Sequence, residues 1–133
     1  MTSRISFSLS LCVAFLATVL VAAEKKSDPG DWPQWRGPDR NGLSTETGLN
    51  TDWESNPPKL LWTATGLGEG YASVAVSGGR IYTTGNLETG QGVVAIDAKD
   101  GAILWSKAFT ESVPQHSYTG SRCTPTASGP NHG

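Results

Sequence analysis

The stretch Ala95-Ile96-Asp97-Ala98-Lys99-Asp100-Gly101-Ala102-Ile103-Leu104-Trp105 decides how this chain folds. One β-type segment, Gly92 to Ile96, runs into a short run holding two aspartates and a glycine, and a second, Ala102 to Ser106, leaves it. Aspartate carboxylates bond the free backbone amides of a turn, and glycine leaves it through the positive-φ region that other residues enter at a cost. The spacing therefore predicts a tight antiparallel connection across Asp97–Gly101.

Working outward toward the N-terminus, two further β-type segments are separated by Ser77-Gly78-Gly79: Ala72 to Val76 and Arg80 to Thr84. Paired glycines suit a hairpin turn, because both central positions of the favoured turn need positive φ. A fifth segment, Lys59 to Thr63, follows Pro57-Pro58. The fold class predicted is all-β: antiparallel four-stranded blade material of a β-propeller, incomplete in this chain. Bulk along the segments agrees with that geometry. Ala72-Ser73-Val74-Ala75-Val76 is built of small residues and Ile103-Leu104-Trp105 of large ones, as expected where an inner strand is crowded at an axis and an outer strand has room.

A repeat supports the same reading. Trp62 and Trp105 stand 43 residues apart, in Leu60-Leu61-Trp62-Thr63 and Ile103-Leu104-Trp105-Ser106, and each precedes a loop that leads to a tyrosine, Tyr71 or Tyr118. Ser73-Val74-Ala75-Val76-Ser77-Gly78 has a partial counterpart in Thr124-Pro125-Thr126-Ala127-Ser128-Gly129. A period of about 40 to 50 residues with four strands per unit is the sequence mark of a propeller.

These residues carry a resemblance. The stretch Ala95 to Trp105 resembles the tryptophan-docking motif, Ala-x-Asp-x-x-Thr-Gly-x-x-x-Trp, of pyrroloquinoline-quinone-type repeats, with Asp100 at the threonine position. The matching positions are Ala95, Asp97, Gly101 and Trp105. The opening Trp32-Pro33-Gln34-Trp35-Arg36-Gly37-Pro38, with Asn41-Gly42, is similar to the start of many secreted quinoprotein-like propellers, both assembly-factor-like and alcohol-dehydrogenase-like. The resemblance implies that Trp105 lies on an outer strand and packs against a neighbouring blade. It also implies that an N-terminal strand can complete the last blade of the ring, and Lys59–Thr63 is expected to be that closure strand. Quinone-dependent dehydrogenases of this kind use an adjacent cysteine pair, a catalytic aspartate and a calcium site. None of these maps onto a residue here, so no catalytic, cofactor-binding or metal residue is assigned. Pyrroloquinoline quinone and calcium would belong only to a longer parent.

The chain divides into a leader over 1–23, a linker and Trp-rich segment over 24–58, and partial propeller over 59–133. Arg4 precedes an uncharged stretch from Ile5 to Ala23 that ends Val21-Ala22-Ala23, the pattern of a secretory signal cleaved after Ala23. The alternative is an uncleaved anchor, for which a stretch interrupted by Ser6, Ser8, Ser10 and Thr18 is borderline against the roughly 20 predominantly apolar residues a bilayer needs. Cys12 lies inside the leader behind the bulky Leu11, which disfavours lipid attachment there. Export to the periplasm or the extracellular space is expected, with no membrane span after cleavage. Cys123 is then the one cysteine left, so no internal disulfide is expected.

Composition excludes several classes. Without the leader the chain has nine basic and twelve acidic side chains, with no block of like charge, and nucleic-acid binding relies on clustered lysine and arginine. Gly66-Leu67-Gly68-Glu69-Gly70 lacks the following helix and the Lys-Ser or Lys-Thr pair of a phosphate loop and reads as a flexible crossover. His116 and His132 have no second ligand at a useful spacing. Cys123 beside Arg122 is the weak candidate for an activated thiol. Asp97 and Asp100 read as turn residues rather than cation ligands. Trp32 and Trp35 read as packed on the body of a larger domain, the alternative being an aromatic ligand platform.

Four propeller blades need roughly 160 residues, and the chain after the leader has 110. The sequence is thus expected to be an N-terminal piece of a longer protein, with the remaining blades as its first partners and a protein partner for the whole. The function expected is a noncatalytic binding or assembly scaffold. The alternative is an alcohol-dehydrogenase-like quinoprotein whose active site lies in other blades.

Overall fold

The computed structural model describes residues 28–115 and 118–128. The expected leader over 1–23, His116 and His132 lie outside the described residues. What is described is all-β. Four strands, β1 (Ala75–Ser77), β2 (Arg80–Leu87), β3 (Gly90–Asp97) and β4 (Ile103–Ala108), form one antiparallel sheet in the order β1-β2-β3-β4. No described residue is helical, and no helix among the described residues is long and apolar enough to cross a membrane.

The turn chemistry sets the meander. Gly78 and Gly79 have φ of 58° and 73°, the pair of positive values that joins strands without splaying them. The β1–β2 register follows directly: Ser77 pairs with Arg80 and Ala75 with Tyr82. Glu88 and Thr89 make a second two-residue connection between Leu87 and Gly90, which pair with each other. The third turn is closed by Asp97 and Gly101, and β3 pairs with β4 through a register shift between Ala95 and Ile96. The short, small-residue β1 and the bulky β4 occupy opposite edges of the sheet.

Strand alternation gives the sheet two faces. On one, Ala75, Tyr82 and Ala95 form a buried cluster, with Trp105 and Ala127 packed against it. The Tyr82 and Trp105 rings lie 6.2 Å apart at 51°, a tilted arrangement of the kind aromatic pairs favour. The same face carries Thr84, whose Oγ1 lies 2.7 Å from Ser121 Oγ and donates to the Cys123 carbonyl at 2.6 Å. The other face carries Val94 and Ile96, both buried. Residues 62–68 run over this face: Gly66 comes close to Ile103 Cδ1, and the Leu67 carbonyl sits over Gly85.

Among the described residues Lys59–Thr63 joins no ladder, so it is not an inner strand of this sheet, and its expected closure of a last blade concerns strands outside it. Trp62 lies over the Asp97–Gly101 turn. One expectation is corrected. The Gly66–Gly70 crossover is tightly held rather than loose. Gly68 rests on the Asn86 backbone, Gly70 on Ser121, and Glu69 exchanges both backbone hydrogen bonds with Asn86, at 3.1 and 2.8 Å. Glycine is needed at Gly68 because a Cβ there would come 2.7 Å from the Asn86 carbonyl oxygen.

The Trp-rich opening also divides. Trp32 is half-buried and pairs with Val76 as an isolated antiparallel bridge, whereas Trp35 remains 68% exposed. Arg36 and Arg40 have positive φ of 71° and 56°, conformations that cost non-glycine residues about 1–2 kcal/mol.

Candidate functional site

The most fully built feature is the turn that joins β3 to β4. Asp97 closes it from its first residue: its Oδ1 accepts the Lys99 amide at 2.8 Å and its carbonyl accepts the Gly101 amide at 2.9 Å. Asp100 serves the exit, its Oδ1 accepting the Ala102 amide at 3.0 Å. An aspartate at this position thus bonds the turn backbone with its side chain. The Ala98 amide donates to the Gly79 carbonyl at 3.0 Å, which ties this turn to the β1–β2 turn beside it.

Trp62 covers the turn. Its indole Nε1 donates to the Ala98 carbonyl at 3.2 Å. Its ring lies on Gly101, where a Cβ would stand 2.5 Å from Cε3. Gly101 is thus required twice, once for φ of 77° and once for the space occupied by the ring. The motif residues come together as follows: Ala95 is fully buried and pairs across the ladder with Trp105, and Asp97 and Gly101 form the turn under Trp62. Trp105 belongs to the buried face, but its Nε1 is enclosed with no hydrogen-bond partner among the described residues. The part played by Trp62 was not legible in the sequence. Its likeness to Trp105 was visible, but local sequence does not say which turn an indole reaches.

Two recesses flank the sheet. One, of about 470 Å³, lies between Gly66, Gly68, Leu87, Glu88, Thr89 and Ser106. The other, of about 650 Å³, is lined in part by Asp28, Asp31, Trp32, Asp39, Leu43 and Glu46. Neither joins a nucleophile to a base. Asp31 in the second is already engaged, accepting from Ser77 Oγ at 3.2 Å and from the Gly78 amide at 3.0 Å. Arg122 lies with its guanidinium carbon 5.0 Å from the Tyr118 ring centroid, a cation–π contact, and Cys123 is exposed beside it.

The donor set does not fit the calcium and quinone implied by the resemblance. Among the described residues no three or more His, Cys, Asp or Glu side chains converge as metal ligands, and Cys123 has no neighbouring cysteine in the sequence. The class defined by the fold is an all-β chain with one four-stranded antiparallel sheet. No protein family, no curated protein and no solved structure matches the chain.

Proposed function

We propose that this chain is part of an exported β-propeller of tryptophan-docking repeats that acts as a noncatalytic binding or assembly scaffold, working in the periplasm or outside the cell. The observation that carries the reading is the unequal state of two tryptophans in like sequence. Trp62 has a turn to cover and a carbonyl to bond. Trp105 has an enclosed indole N–H and no acceptor among the described residues, and leaving such a donor unmade costs about 1–3 kcal/mol. Ile103 and Leu104, 47% and 44% exposed, are apolar surface of the kind that repeat units bury against neighbours. The residues described supply a turn, a ring that covers it and an apolar face, and these are the elements the scaffold reading uses.

The test is to replace each tryptophan by phenylalanine in the product of the complete gene and to measure unfolding in urea. Where Trp105 docks on a further repeat, both variants lose about 1 kcal/mol for the indole hydrogen bond. A loss for Trp62→Phe with none for Trp105→Phe would overturn the repeat reading. The same protein, given pyrroloquinoline quinone and calcium, is expected to show no dye-linked alcohol oxidation. Turnover would make it an oxidoreductase.

A further inference from the structure

The segment Asp31-Trp32-Pro33 makes three separate connections. Trp32 and Val76 exchange both backbone hydrogen bonds, at 2.8 and 2.9 Å, so the segment pairs along the outer edge of β1. The Asp31 carboxylate takes the Gly78 amide on one oxygen and the Ser77 hydroxyl on the other, at 3.0 and 3.2 Å, and so holds the β1–β2 turn. The Pro33 carbonyl accepts the Ala127 amide at 2.8 Å. Ala127 in turn packs on the Ala75, Tyr82 and Ala95 cluster. Proline suits this position because it has no N–H, so the ladder stops there while its carbonyl stays available. The Trp32 ring is seated over Gly37, where a Cβ would come 2.7 Å from the ring. That contact fixes the segment's exit toward Pro38.

We propose that Asp31–Pro33 is a strap that couples the first sheet to the segment Thr124–Ala127, with Asp31 as its positioning residue. The two parts it joins are distant in sequence; Thr84, which reaches Ser121 and Cys123, and the packing of Ala127 on the core cluster also link them. The strap covers the edge that β1 would otherwise present for pairing with another chain, and sets the place at which the following segment crosses the sheet. The inference stands apart from the propeller reading, because it concerns contacts within the chain and holds whether or not further repeats follow.

Residue-resolved hydrogen exchange on the full chain tests it, since amide protection reports local opening. Asp31→Ala removes the acceptors of Ser77 and Gly78, yet a strap acting as a unit must also release Ala127. The expected result is roughly tenfold faster exchange at Ala127 as well as at Gly78 and Val76, with Val94 and Ala95 still protected as a sign that the sheet persists. Asp31→Asn, which keeps one carbonyl acceptor for Gly78, is expected to restore protection at Ala127. Acceleration confined to Gly78 would overturn the proposal. Should Asp31→Ala unfold the sheet, Ala127→Pro reads the coupling from the other end: faster exchange at Gly78 supports the strap, and unchanged exchange there refutes it.

Discussion

Trp62 and Trp105 sit in nearly the same local sequence, each after two large aliphatic residues and before a hydroxyl residue, and the fold uses them in different ways. Trp105 is a strand residue, paired with Ala95 and tilted against Tyr82. Trp62 belongs to no strand and works as a cover, its ring on Gly101 and its N–H on the Ala98 carbonyl. The difference shows that like local sequence leaves the role of a tryptophan open, one ring covering a turn and the other packing from a strand. One indole is bonded and the other is enclosed without a hydrogen-bond partner among the described residues.

The largest expected effect comes from removing the surface that receives Trp62. Gly101→Ala places a Cβ within 2.5 Å of the indole at a φ of 77°, so overpacking and backbone strain add, for a loss of about 3 kcal/mol. Gly78→Ala is the control: φ is 58° and nothing lies within 4 Å of the new Cβ, leaving the left-handed backbone cost alone, about 1 kcal/mol. Equal losses in urea unfolding would mean that Trp62 does not press on Gly101.

Next in size is the link on the face that Trp105 shares. Thr84→Val keeps the shape and removes the hydroxyl that meets Ser121 Oγ and the Cys123 carbonyl. Ser121 is buried, 4% exposed, so its hydroxyl cannot turn to water freely and the expected loss is about 2 kcal/mol. Thermal unfolding followed by tryptophan fluorescence reads it, and a change below about a third of that would mean the Ser121 segment lifts away without cost.

The four strands were legible because their turns carry chemistry: Gly78-Gly79 and the two aspartates with Gly101 mark breaks that could be read directly. Their full lengths were not. β2 continues through Gly85 to Leu87 and β3 begins at Gly90, beyond the limits that alternation suggested, because glycines inside a strand read as breaks. The structure explains them as places of close approach. A Cβ at Gly85 would meet the Leu67 carbonyl, and one at Gly92 would meet the Leu87 side chain. The Leu67 carbonyl comes from a segment outside the sheet and the Leu87 side chain from across the hairpin, and no local pattern announces either contact. Lys59–Thr63 has the local pattern of a strand but pairs with none among the described residues, where Trp62 covers the Asp97–Gly101 turn. Asp31 was invisible for the same reason, as its partners at Ser77 and Gly78 lie 46 and 47 residues away.

A smaller effect separates the two tryptophans themselves within this chain. Trp62→Phe loses an indole hydrogen bond and part of the ring surface over Gly101, for about 1–2 kcal/mol. Trp105→Phe loses ring volume but also removes an enclosed donor without a partner, and the two terms offset to within about 1 kcal/mol. Urea unfolding of the two variants, compared on one chain, gives the difference directly. A larger loss at Trp105 would show that its N–H has found an acceptor and would erase the asymmetry between the two sites.

The smallest expected effect tests whether Trp105 is alone in that state. Asn86 lies in β2, 8% exposed, with both its amide nitrogen and its amide oxygen enclosed and unpartnered. Its backbone is fully used by Glu69, so the residue is anchored while its side chain has nothing to bond. Replacing an unpaired buried amide by an apolar group of similar volume removes a desolvation cost and adds favourable burial. Asn86→Leu is therefore expected to leave the sheet as stable as before or to strengthen it by up to about 1 kcal/mol. Set against Thr84→Val two residues earlier on the same strand, the pair distinguishes a hydroxyl that holds a segment down from an amide that holds nothing within the described chain. A loss at Asn86 as large as that at Thr84 would mean that the amide is bonded in solution, by ordered water or by a group from outside these residues. Trp105 and Asn86 would then be judged separately, the indole awaiting a repeat and the amide already supplied.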